Sequence, residues 1–151
     1  MRKNVVLNCK VQPHNLTGNY RNTIYDLLKT RYVNKSLTVG YIITVNSIKE
    51  FIHNKIINGD VHVKMLCDCD VYKPIINDII TCNVNMIHIN GIFVNKYGIR
   101  ILLPNTNNIF LIKNNQCIYN DRTININDCI DVRIKQIRFE NNNYTCIGNI
   151  V

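Results

Sequence analysis

Cys67-Asp68-Cys69 is the densest group of metal-competent side chains in the chain, with His62 upstream and Cys82 downstream. A structural zinc needs four ligands closing a tetrahedron, usually drawn from two C-x₂₋₄-C/H pairs. A C-x-C pair on a strand sends both thiols to one face, so it could supply two ligands, with His62 and Cys82 completing the set. The spacing favours a plainer account, in which Cys67 and Cys69 are small buried hydrophobes on one strand face with Asp68 and Asp70 outside. No metal and no cofactor are expected. An enzyme would find little here either. Serine is confined to Ser36 and Ser47, and there is no G-x-S-x-G elbow or glycine-rich phosphate loop. Asp68, Asp70, Asp78 and Asp128 lack the partners an acid–base site requires. The chain therefore reads as non-catalytic.

Charge points to polyanions. Eighteen Lys and Arg face ten Asp and Glu over 151 residues, a net charge of +8. Residues 1–74 carry 11 basic and 5 acidic side chains, residues 75–151 carry 7 and 5. A basic chain gains affinity for polyanions by counterion release, and here most of the excess lies in the first half. Asn and Ile occur 26 times each while Ala and Trp are absent. That bias follows A/T-rich codons and suggests a genome of the viral or parasite kind; it also weakens any argument from Asn-rich turns. Seven cysteines, an odd number without regular spacing, read as reduced thiols of an intracellular reducing compartment. No apolar run reaches the roughly 18–20 residues of a bilayer span, so no membrane partner is expected. Asn8 and Lys10 interrupt the apolar stretch after Met1-Arg2-Lys3, so no signal peptide is expected.

The elements that must position these residues are mostly strands. Val5–Val11 alternates and stops before Pro13, as a strand should. Over Asn19–Tyr32, Tyr20, Ile24, Leu27, Leu28 and Arg31 form the stripe of an amphipathic helix, with Asn19 as N-cap and Lys29 and Arg31 in the last turn. Tyr41–Ile48 and Val61–Val71 are β-branched runs separated by a loop, Phe51–Asp60. Beyond Lys73-Pro74, a natural joint, short strands recur at Ile79–Ile89, Gly91–Asn95, Ile99–Leu103, Ile109–Lys113, Ile130–Phe139 and Tyr144–Val151. That rhythm, with turns at Asn90-Gly91, Tyr97-Gly98 and Asn141–Asn143, predicts a small antiparallel barrel. The expected protein is mainly β (α+β): a small N-terminal β-α-β-β module over 1–74, then a five-stranded barrel over 75–151.

The order of these segments resembles the stalk subunit of multisubunit DNA-dependent RNA polymerases, the family of the seventh subunit of eukaryotic RNA polymerase II, its archaeal counterpart and shortened viral versions. Gly40-Tyr41-Ile42-Ile43-Thr44-Val45 is similar to the family's strand after the helix, and Lys55-Ile56-Ile57-Asn58-Gly59-Asp60 to its tip loop. Val71-Tyr72-Lys73-Pro74 resembles the entry to the barrel. Val84 to Gly91-Ile92-Phe93-Val94 resembles the first barrel hairpin. Asn127-Asp128-Cys129-Ile130 with Val132-Arg133-Ile134, and Tyr144-Thr145-Cys146-Ile147-Gly148, resemble the last two strands. Asn77-Asp78 stands where the family has Gly-Glu, and Asn127 where it has Gly; Asn tolerates positive φ, so both turns remain feasible. The segment between Leu103 and Ile124 is short and lacks the longer inserted loop of the cellular proteins.

The resemblance implies an OB-type barrel that contacts nascent RNA and a tip module that docks on the polymerase core near the clamp. An OB barrel holds single strands by stacking bases on aromatics beside a basic groove. The candidate RNA face is Phe93, Lys96, Tyr97, Arg100, Arg133, Lys135 and Arg138, with Phe139 on the same strand and Tyr144 opposite. Alternation puts Arg133 and Lys135 outside; beyond Gln136 it breaks, through a bulge or burial of Ile137 and Phe139. Phe93, Tyr97 and Phe139 either stack bases or plug the barrel, and the sequence leaves both open. Ile56-Ile57 either folds back over the sheet or, as the resemblance implies, inserts between core subunits; Lys35, Lys49, Lys55 and Lys64 would then meet acidic surfaces or phosphates. Implied partners are the large core subunits, single-stranded RNA and, in cellular members, a small helical stalk partner that shortened viral versions can lack. The implied location is the nucleus, or for a viral version the virion and the viral factory of the host cytoplasm. The competing expectation is a free-standing single-stranded RNA-binding protein of translation or RNA processing, which needs no apolar tip.

Overall fold

The computed structural model describes residues 1–151, which form two compact units, Met1–Lys73 and Pro74–Val151. Strands hold 63% of the residues and helices 13%, so the protein is mainly β. No helix is long and apolar enough to cross a membrane.

The first unit runs β1 (Arg2–Val11), a 3₁₀ turn (Pro13–Leu16), α1 (Tyr20–Tyr32), β2 (Ser36–Leu37), β3 (Gly40–Ile57) and β4 (Asp60–Tyr72). The sheet is antiparallel in the order β1-β4-β3-β2. The two-residue β2 is an addition to the expected β-α-β-β order, too short to leave a pattern in the sequence. The helix buries Ile24 and Leu28 against Leu7, Ile42 and Met65. The predicted stripe was one position wide of the mark: Tyr20 and Leu27 are exposed, and Tyr25 and Tyr32 flank the buried pair instead. Both tyrosines bury their rings and send the hydroxyl to backbone, Tyr25 donating to the Val45 carbonyl at 2.8 Å and Tyr32 to that of Asn8 at 2.9 Å. Asn19 occupies the N-cap position, but its ψ of 62° lies outside the extended region that aims a capping side chain, and its side chain makes no cap.

The expected loop over Phe51–Asp60 is strand. β3 continues to Ile57 and turns in two residues, Asn58-Gly59, both with positive φ (51° and 83°), the pattern of a type I′ hairpin. The reason for the misreading is physical. Register steps at Ile42/Thr44, Val45/Ser47, Ile48/Glu50 and Phe51/His53 each insert one residue into β3. Four bulges three residues apart turn a period of two into a period of three. Ile42, Val45, Ile48 and Phe51 all pack toward the helix, although they match neither a strand's spacing nor a helix's. Bulges also increase strand twist, so this strand coils over the helix.

The second unit contains β5 (Ile79–His88), β6 (Gly91–Lys96), β7 (Ile99–Pro104), β8 (Leu111–Lys113), β9 (Gln116–Tyr119), β10 (Arg122–Ile124), β11 (Cys129–Glu140) and β12 (Asn143–Ile150). Five of these close a barrel in the order β11-β12-β7-β6-β5, with β5 returning to β11. β12 pairs with β7 in parallel and every other contact is antiparallel. Strict alternation fills the interior: Ile92 and Val94, Ile99 and Ile101, and Val132 and Ile134 are fully buried. Ile109–Lys113 is not a barrel strand. β8 instead joins β9 and β10 in a separate three-stranded meander. Its turns, Asn114-Asn115 and Asn120-Asp121, all have positive φ. Asn77 and Asn127 both sit at φ 72°, and their N–H groups donate to the carbonyls of Ile134 (2.7 Å) and Val84 (2.8 Å). Eleven of the 26 asparagines are left-handed, so Asn does turn work here that the compositional bias had seemed to devalue.

Candidate nucleic-acid groove and docking hairpin

On the outside of the barrel, cross-strand pairing lays two rows side by side over β6, β7, β12 and β11. One row is Phe93, Leu102, Ile147 and Gln136; the other is Asn95, Arg100, Thr145 and Arg138. Neighbours along each strand are two residues, or about 6.6 Å, apart. An apolar track therefore runs beside a basic one. All of these residues but Asn95 line a groove of about 710 Å³. The Arg100 guanidinium lies 5.9 Å from the Phe93 ring centre, inside cation–π range. Arg138 is paired with Glu140 at 3.4 Å, with both side chains exposed, and such a pair opens at little cost.

Phe93, Arg100 and Arg138 are thus brought together, while the other expected contacts lie elsewhere. Lys96 and Tyr97 sit at the β6–β7 turn, with the Lys96 ammonium 5.0 Å from the Tyr97 ring centre and Tyr97 at φ 54°. Arg133 points outward beside Asn149 and Ile79, beyond the groove. Lys135 is the residue inserted at the β11 bulge, so Gln136 takes the outer position beside Ile147. The Phe139 and Tyr144 rings meet tilted, with centres 4.6 Å apart, near the β11–β12 turn; Tyr144 is buried and so cannot stack on a base, while Phe139 is half-buried beside it and outside the groove. Burial pushes the Tyr144 hydroxyl above its ordinary pKa. Leu102, Gln136, Thr145 and Ile147 are groove residues that sequence reasoning missed. Arg100 and Leu102 alternate with buried Ile99, Ile101 and Leu103, a signal that was available.

In the first unit, Lys55, Ile56, Ile57, Asn58, Gly59 and Asp60 form the end of the β3–β4 hairpin; Lys55 and Ile56 are in register with the last two β1 pairings, at His62 and Val61, and Ile57 to Asp60 lie past them. Lys10 fixes its base through an ion pair with Asp60 at 3.2 Å. Ile56 and Ile57 are 75% and 40% exposed, so the pair does not fold back over its own sheet.

The thiols and imidazole weighed for zinc do not converge. Cys67 and Cys69 are buried on the helix side of β4, and His62 lies on the opposite face, in register with Lys10. Cys82 is inside the barrel. Burial pushes Cys67 up to about 12 and Cys69, Cys82 and Cys146 up to about 11. These groups stay protonated and act as small hydrophobes. No protein-family model matches the sequence, and no curated protein matches it.

Proposed function

We propose that this protein is a non-catalytic stalk-type subunit of a DNA-dependent RNA polymerase. Its first unit is a tip module that docks on the large core subunits, and its second is an OB-type barrel that guides nascent single-stranded RNA. The barrel reading is supported by a five-stranded closed arrangement in which the third strand runs parallel to the last. It is also supported by a groove that Phe93, Arg100 and Leu102 of the second and third strands line together with residues of the last two strands; the second and third strands are the face on which such barrels take oligonucleotides. The observation that carries the docking half is the exposed Ile56-Ile57 pair at the end of a two-residue hairpin. An exposed apolar tip stabilises nothing within its own unit and fits an interface anchor.

The test is purification of tagged protein from its native source. Wild type should bring down the large polymerase subunits stoichiometrically, and Ile56→Gln/Ile57→Gln, which adds no charge beside Lys55, should lose them while leaving RNA affinity unchanged. Phe93→Ala should weaken single-stranded RNA binding by about 1–3 kcal/mol, the contribution of one stacked base. RNA binding without polymerase subunits would instead identify a free-standing RNA-binding protein.

A further inference from the structure

We propose that the face of the first unit's sheet opposite the helix is a second nucleic-acid site, one that holds the phosphodiester backbone by charge and hydrogen bonds without contacting bases. Register pairing places two rows across β1, β4 and β3: Asn8, Lys64 and His53 in one, Lys10, His62 and Lys55 in the next. These six side chains line a groove of about 340 Å³, which Arg31 borders from the last turn of α1. Every one of these side chains, Arg31 included, offers N–H donors, and four are permanent cations at neutral pH. No carboxylate lines the groove. The nearest on this face are Asp60, which lies one row beyond and is engaged by Lys10 at 3.2 Å, and Glu50, which lies one row away beside Leu66. Lys55 and Lys64 have no ion-pair partner.

The expected basic face therefore changes membership. Lys49 lies in the field of Asp68, Lys35 belongs to the turn before β2, and Lys10, Arg31, His53 and His62 replace them.

Two features favour a phosphate backbone over an acidic protein surface. Donors stand in two parallel rows spaced about 6.6 Å along the strands, a repeat suited to an extended chain carrying one charge per unit. No Phe, Tyr or Trp lines the groove, and the imidazoles of His53 and His62 serve it as N–H donors; it lacks the broad stacking platform of a base-binding site and the large apolar anchor protein interfaces rely on. The two units thus divide recognition. The barrel groove takes bases and charge, the sheet face charge alone. This assignment is independent of polymerase docking.

The experiment uses the full chain carrying Phe93→Ala/Arg100→Ala, which weakens the barrel groove, and a fluorescein-labelled 15-residue oligouridylate titrated at several salt concentrations. Binding should persist, and adding Lys55→Gln/Lys64→Gln should reduce the slope of log K against log salt by about 1.4, two contacts at about 0.7 each. That corresponds to about 25-fold weaker binding at 0.1 M salt. Lys113→Gln/Arg122→Gln removes the same charge from the second unit and should leave the slope unchanged. An equal loss from that control, no loss from the Lys55/Lys64 pair, or no residual binding in the starting protein would each overturn the site. Tighter binding of oligoglutamate than of oligouridylate would also overturn it, in favour of an acidic protein partner. Polymerase capture through Ile56-Ile57 is read by co-purification, so the two proposals fail separately.

Discussion

The sheet of the first unit and the barrel of the second both hide one side of their strands, but by different means. The sheet needs α1, with Leu28 and Ile24 inserted into its concave face, and four bulges in β3 to curl around it. The barrel closes on itself through the parallel β7–β12 pair and has no edge to protect. β1 is an edge; Tyr32 engages both the N–H and the carbonyl of its Asn8, and Lys3 and Lys10 add the charge that discourages another strand from pairing. The means of closure decides what is left over for binding. A helix-covered sheet keeps a whole second face, which here is basic at the end that holds Lys10, Lys55 and Lys64 and carries Glu50, Asp68 and Asp70 toward the other. A barrel keeps only shallow outer grooves, and this one mixes Phe93 and Leu102 with arginines.

Glycine substitutions are the sharpest way to break that comparison. At Gly91, φ is 148° and an added Cβ would collide with the Leu103 carbonyl oxygen, a backbone atom that cannot move aside as a side chain could. Gly91→Ala should cost about 3 kcal/mol or more, from strain and overpacking together. Gly59, at the docking hairpin, has nothing within 4 Å of such an atom, so Gly59→Ala should cost only the left-handed penalty of about 1 kcal/mol. Amide hydrogen exchange reads this unit by unit. Gly91→Ala should lower protection at Ile92, Val94 and Ile101 and spare Met65 and Cys67. If both sets fell together, the units would unfold as one body and the contrast would fail.

A smaller effect sharpens the role of asparagine. Asn127→Ala and Asn77→Ala should each cost about 1 kcal/mol in urea unfolding, because both hold φ 72°, where a Cβ without a local polar partner is strained. The Gly variants should stay within about 0.5 kcal/mol of wild type, since glycine relieves strain but gives the unfolded chain more freedom. Equal losses for Ala and Gly would mean the Asn side chains act through contacts and not through the backbone.

These residues also mark what the sequence could tell. Barrel strands were legible because burial alternates strictly at Ile99, Ile101 and Leu103 and at Ile130, Val132 and Ile134. Phe93 and Arg100 could be found from that alternation, whereas Arg138 faces outward only because the bulge at Lys135 shifts the phase of β11. Their groove neighbours Ile147 and Gln136 could not. They depend on the long-range pairing of β12 with β7, which has no local signature, and on a bulge at Lys135, which the broken alternation announces without fixing its position. The three-residue period of β3 escaped for a related reason, since apolar spacing was compared with two and 3.6 alone. β8 was legible within Ile109–Lys113, but β9 and β10 escaped because strands this short are announced only by their turns, and those are Asn-Asn and Asn-Asp, the pairs that compositional bias had discounted.

The smallest expected effect concerns Asp68 of the first unit, whose carboxylate accepts a 2.8 Å hydrogen bond from Arg2 Nε. That bond chiefly holds the Asp68 carboxyl below its usual pKa; partial burial opposes it, while attraction to Arg2 and Lys49 adds to it. A carboxyl depressed in the folded state stabilises the fold at every pH above its unfolded value of about 3.9. The contribution fades as pH drops below that value and is gone once pH has fallen through the lower folded pKa. Asp68→Asn should therefore melt below wild type at pH 6, with the gap narrowing through pH 4 and vanishing near pH 2. Arg2 is largely exposed, so salt should shrink the gap at pH 6 as well. The barrel's Arg138–Glu140 pair is exposed on both sides, and Glu140→Gln should show almost no gap at any pH. A pH-independent deficit in Asp68→Asn would mean that the side chain matters for packing and not for charge.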